Sequence, residues 1–123
     1  MLNVQADVRA RLVAALGVAV RAGQAPDGSA EDPFPAELVL VRRSGGRRLD
    51  ALRDRPGVSI DVWAGTEARA CALAAEVDRA MRHLPFAEGY DRVEMESMRS
   101  DYDLVRHSPR WFLSYTLVTH DYE

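Results

Sequence analysis

Apolar residues along the chain recur at two periods, one near 3.6 and one of 2. From Asn3 to Ala22 they come every four residues, at Val4, Val8, Leu12, Leu16 and Val20, with Val13 widening the stripe and Asp7, Arg9 and Arg11 off it. That spacing lines one face of a helix. Asn3 suits its N-cap and Gly23 its C′ position. The following QAPDGSAEDPFP carries three prolines and one large apolar residue, Phe34, and reads as a loop. Leu38 to Val41 is a continuous apolar run that ends in RRSGGRR, a strand entering a Gly45-Gly46 turn. An unbroken apolar run suggests a strand buried on both faces.

Gly57 to Trp63 alternates, with Val58, Ile60 and Val62 on one face and Ser59, Asp61 and Trp63 on the other. A second helix starts at Thr66, a good N-cap, with Glu67 in the first turn, where the helix dipole favours an anion. Ala70, Leu73, Ala74, Val77, Met81 and Leu84 form its stripe, Asp78 and Arg82 are spaced for an i,i+4 contact, and Pro85 ends it. A helix over 67–84 is about 27 Å long, enough to cross a sheet. Arg92 to Met98 and Arg110 to Thr119 alternate again, and SDYDLVRHSP between them is longer than a tight hairpin turn needs. The order is α-β-β-(β)-α-β-β. It predicts an α+β fold, a mostly antiparallel sheet of four to five strands with two helices packed on one face.

Length and composition narrow this further. A chain of 123 residues, 47% hydrophobic and 28% charged, suits a single domain over 1–123 with one real core and the balance of a soluble protein. No apolar run reaches the roughly 18 residues of a membrane span, so no membrane partner is expected. The N-terminal stretch, with Asp7 and arginines among its apolar residues, does not read as a signal peptide. One cysteine, Cys71, cannot form an intrachain disulfide, which fits a reducing compartment. All 16 basic residues are arginine, on a chain of net charge −3. The absence of lysine fits either the codon usage of a GC-rich genome or a surface that uses bidentate contacts.

Chemistry is sparse. His83, His107 and His120 have no partners at metal-ligand spacing, Cys71 has no second cysteine, and no GxSxG elbow is present. No catalytic, cofactor or metal site is expected. Cys71, just off the stripe of its helix, reads as a small buried thiol that packing protects. RRSGGRR lacks the Lys-Ser/Thr ending of a phosphate loop. It would place Arg42, Arg43, Arg47 and Arg48 together at a hairpin tip, either a solvated turn or a contact for an acidic partner or DNA phosphates. Trp63, on the strand face away from Val58, Ile60 and Val62, asks either for helices on both faces or for an exposed aromatic face that meets another subunit.

The apolar strand VLVRR with its Gly-bearing turn, the stretch DRPGVSIDVWAGTEARACALAAEVDRAM and the late WFLSYTLVTH together resemble the small tail-terminator (tail-completion) proteins of long-tailed phages and of phage-derived gene transfer agents. In that family a strand of the type "RP.v.vevwa" leads into a helix of the type "ea..la..v...l", and 55–84 matches it. The resemblance covers most of the chain, with 24–37 and 101–109 as its loose parts. It implies a structural virion protein that forms a ring, commonly hexameric, at the head-proximal end of the tail tube. There it stops tube polymerisation and offers a surface to the neck. The implied partners are further copies of itself, the major tail tube protein and a neck or head-closure protein, with DNA only as cargo through the ring. It implies assembly in the host cytoplasm and no catalytic residue. The alternatives are a head-closure or head–tail adaptor protein and, from another class, a small ligand-binding or enzymatic α+β domain.

Overall fold

The computed structural model describes residues 2–120 and has an α+β fold of two helices and a five-stranded mixed sheet. Helix α1 spans Val4–Ala15, with the Asn3 carboxamide oxygen accepting from the Ala6 N–H at 3.2 Å. It stops earlier than the four-residue spacing predicts. Leu16 turns extended at φ −111° and ψ 148°, and the chain enters a short strand, β1, Ala19–Ala22. Gly17 and the β-branched pair Val18 and Val20 weaken a helix there, and pairing with the sheet takes the segment over. Val20 therefore reaches the core from a strand, and Gly23, at φ +86°, ends that strand instead of capping a helix.

Strands β2, Leu38–Arg48, and β3, Arg53–Trp63, form a long antiparallel hairpin. The Gly-Gly turn expected at Gly45-Gly46 is absent. Both glycines lie inside β2, at φ +126° and +105°, next to a register shift between Arg43 and Gly45. The turn comes at 49–52, where the Asp50 carboxylate accepts from the N–H groups of Leu52 and Arg53 at 2.9 and 2.8 Å. An aspartate that binds the backbone two residues on makes a turn without help from glycine. Helix α2, Glu67–Arg82, starts where predicted, with Thr66 Oγ1 accepting from the Arg69 N–H, and a 3₁₀ turn over Leu84–Phe86 follows it.

The last two strands, β4 (Tyr90–Asp103) and β5 (Ser108–His120), are longer than their alternating cores. SDYDLVRHSP is mostly strand. The connection shrinks to 104–107, closed by Asp103 Oδ1, which accepts from the N–H groups of Val105 and Arg106. The sheet order is β1-β2-β3-β5-β4, with β1 parallel to β2 and every other pair antiparallel. Both helices cover one face. There Val4, Val8 and Leu12 of α1 and Leu73, Val77 and Met81 of α2 meet Val39, Val41, Val58, Ile60, Val62, Leu113 and Leu117.

The opposite face carries neither a second layer of helices nor an exposed tryptophan. Residues 24–37 fold over its upper end, so that Phe34 and Ala25 pack on Leu38, Leu40 and Trp63, and Trp63 keeps only 5% of its surface accessible. The rings of Phe34 and Trp63 meet edge to face at 5.2 Å, and Trp63 Nε1 donates to Asp103 Oδ2 at 2.9 Å. Arg21–Asp32, Arg69–Glu37 and the Arg106 guanidinium, which stacks over Phe34 and donates to the Pro26 carbonyl, pin the cover down. Three prolines stiffen the loop, so ordering it costs less chain entropy. Trp63 is therefore a second small core closed by the chain's own loop, not an open aromatic face.

Candidate functional site

The four arginines of RRSGGRR do not form one cluster. Alternation along β2 sends Arg42 to the helix-free face, where its guanidinium reaches Asp61 at 2.9 Å. Arg43 points to the helix side and grips Asp54 with two hydrogen bonds, 2.9 and 3.2 Å. Both carboxylates are buried, Asp54 and Asp61 keeping 2% and 3% of their surface, so these arginines neutralise charge inside the fold. Arg48 donates to the Ala51 carbonyl across the turn. The register shift after Arg43 turns Arg47 to the helix-free face, directly opposite Arg55 of β3.

This last pair is what reading the sequence missed. Arg55 precedes the alternating stretch and shows no sign of meeting Arg47 until the register is known. Arg47 and Arg55 are exposed, and neither guanidinium has an ion-pair partner among the described residues. With Arg53, Arg92, Leu49, Val118 and one carboxylate, Asp91, they line a shallow groove of about 500 Å³ at the lower end of the helix-free face. Arg53 is held by Asp50 at 2.8 Å and Arg92 by Glu94 at 2.8 Å. Like charges directly opposite each other across two strands destabilise a sheet unless an anion bridges them. Two guanidiniums side by side offer parallel donors to a carboxylate or phosphate.

Asp61 is the other charged feature of this face. Burial raises its pKa, against the pull of Arg110 and Arg42. Arg110 lies 3.8 Å away on β5 and 4.0 Å from Asp101, so the chain Arg42–Asp61–Arg110–Asp101 ties β2, β3, β5 and β4 together. It reads as a tie between strands. Two tyrosines are held in the same way on the helix face. The Tyr90 hydroxyl donates to Asp7 and the Tyr115 hydroxyl to Asp78, and burial together with those carboxylates pushes both phenols far up.

The remaining candidates are scattered. His83 Nδ1 lies 2.7 Å from the Arg79 carbonyl, His120 faces Asp91, and His107 sits in the β4–β5 turn at φ +52°. Among the described residues, no three His, Cys, Asp or Glu side chains are grouped to hold a metal ion. Cys71 is exposed, contrary to the reading of a packed thiol, because the stripe of α2 turns Leu73 and Ala74 inward and leaves position 71 on the outer flank. Among the described residues no helix is long and apolar enough to cross a membrane. No protein-family model matches the chain, and no curated protein matches it either.

Proposed function

We propose that this chain is a structural subunit that acts through its surfaces. It assembles with copies of itself into a ring, a hexamer by its resemblance to tail terminators, at the head-proximal end of a tail tube. The ring ends tube growth and presents the surface to which the neck or head joins. One observation carries the reading: Arg47 and Arg55 form an uncompensated basic pair at the end of the β2–β3 arm of a chain whose net charge is −3. Repeated around a ring, that pair makes a basic rim, and the counterpart it suits is an acidic face on the tube or neck protein. The expected setting is the virion, with DNA passing through the ring as cargo.

The test is assembly of particles without this protein, viewed by electron microscopy. Overlong or unjoined tails are the expected result, and tails of normal length joined to heads would overturn the proposal. A finer test is the double variant Arg47→Glu with Arg55→Glu. Tail joining should fall, and wild-type joining should weaken with added salt, because the Debye length shrinks from about 10 Å at 0.1 M to about 3 Å at 1 M. Joining by the double variant that equals wild type at every salt concentration would leave the pair as a solvated arm.

A further inference from the structure

The two edges of the sheet are unequal. At one edge β1 has four residues, and Arg9 Nε donates to its Val20 carbonyl at 3.2 Å, which closes part of that edge to another strand. At the other, β4 runs for 14 residues with β5 as its one strand neighbour among the described residues. It contains no proline, but its charged side chains and its register shift between Met95 and Ser97 restrict the edge to a strand that matches both. Met95 and Met98 remain 40% and 38% exposed on it.

The pattern along β4 complements itself. A register shift between Met95 and Ser97 makes Glu96 an extra residue, so the faces change parity at that point. Arg92, Glu94, Arg99 and Asp101 all lie on the helix-free face, opposite Val118, Thr116, Phe112 and Arg110 of β5. Met95 and Met98 both lie on the helix side, opposite the buried Tyr115 and Leu113. Place a second β4 antiparallel to the first, with a two-fold axis between Glu96 and Ser97. Arg92 then faces Asp101 of the second copy, Glu94 faces its Arg99, and Met95 faces its Met98, each twice by symmetry. The matched residues share a face only because each strand carries the shift. Sliding one strand by two residues opposes like charges, either Arg92 with Arg99 or Glu94 with Asp101. A slide of one residue sets side chains of opposite faces against each other.

We propose that β4 is a homodimerisation edge. Two copies of this chain join through it into one continuous ten-stranded sheet (five strands from each copy), held by four charge pairs on one face and a methionine cluster on the other. The contact is isologous and closed, so it occupies both free edges and cannot propagate into fibres. In the single chain Arg92 turns back on Glu94, Arg99 stacks on Phe112 at 4.7 Å and Asp101 lies 4.0 Å from Arg110. These are exposed contacts that can re-form across the two-fold. The inference rests on β4 alone and does not depend on the ring proposed above.

Sedimentation velocity on the full chain tests it. Wild type should pass from monomer to dimer as concentration rises, and high salt should weaken the dimer. Glu94→Arg and Arg99→Glu each replace two opposite-charge pairs by two like-charge pairs and should weaken dimerisation about tenfold or more. Mixed one to one, the two variants should dimerise with each other, and the double exchange Glu94→Arg with Arg99→Glu should recover self-association. Circular dichroism melting confirms that each variant is folded. Hydrogen exchange on wild type needs no variant: amides over 92–101 should gain protection with concentration. A wild type that stays monomeric, single variants that dimerise like wild type, a mixture that stays monomeric, or exchange independent of concentration would each overturn the proposal.

Discussion

At Gly46 the backbone sits at φ +105°, and an added Cβ would collide with the Arg55 carbonyl oxygen and crowd Pro56 Cα at 2.6 Å. Gly46→Ala should therefore cost about 1–3 kcal/mol from backbone strain alone, seen as a lowered melting temperature. At neighbouring Gly45 a Cβ meets nothing within 4 Å, and its φ of +126° is the one obstacle to a side chain. Arg43 is the second sensitive position, because its loss leaves Asp54 buried and uncompensated. Arg43→Ala should destabilise by about 3–5 kcal/mol, against roughly 0–1 kcal/mol for an exposed charge such as Arg47. Denaturant unfolding of the two variants side by side checks the contrast, and equal midpoints would contradict it. Cys71 lies on the open flank of α2. A thiol reagent should label it in the native protein as fast as in a short peptide, with no change in the circular dichroism spectrum.

Among the elements, the cover over 24–37 and the β4–β5 hairpin act together, since the hairpin supplies Asp103 to Trp63 and Arg106 to Phe34. Trp63→Ala should remove the small second core and cost about 3–5 kcal/mol. A variant that melts like wild type would show that the cover holds without its tryptophan. The carboxyl of Asp103 is lowered from the ordinary 3.8. Burial raises it, but the hydrogen bond from Trp63 and those from the N–H groups of Arg106 and Val105 together outweigh burial. A carboxyl depressed in the fold stabilises it above the unfolded pKa and loses that contribution as pH falls through the folded value. Acid titration below about pH 4 should thus loosen the cover and shift the tryptophan emission before global unfolding. Asp103→Asn, which has no proton to gain there, should flatten that step, and an unchanged profile in the variant would assign the step to other carboxylates.

For the whole molecule, the sheet has one face covered by helices except along β4, where Met95 and Met98 stay exposed, and the other covered only at its upper end. The lower end of that second face is left to the arginine groove and to the bare edge of β4. Arg47→Glu with Arg55→Glu should leave the melting temperature within a degree or two, because both side chains are exposed and one like-charge pair replaces another. A large drop would mean that the pair is held by the fold instead of presented by it. The β4 charge reversals should likewise spare the monomer, so that assembly can be read separately from stability.

Local pattern alone determined where α2 begins, that Val4, Val8 and Leu12 of α1 and Val58, Ile60 and Val62 of β3 face the core, and the α+β class, whereas Val13, read into the stripe of α1, is exposed. A 3.6 or 2 period records which side of an element is buried, whatever the partner. The Asn3 and Thr66 caps were legible for the same reason, since each bonds a backbone group three residues away. The end of α1 was not legible. Val20 fits the helical stripe and the strand equally well, and only pairing of β1 with β2 decides between them. Nor was the place of the β2–β3 turn, because Gly45-Gly46 suits a tight turn as well as the distorted stretch of β2 it actually occupies. The candidate site depends most on tertiary structure. Whether an arginine is neutralised or presented depends on strand register, and one register shift separates Arg43, locked onto Asp54, from Arg47, set against Arg55. Register is fixed by contacts distant in sequence, between β2, β3 and the core beneath them, so the chemistry of this surface could not be read from the order of residues alone.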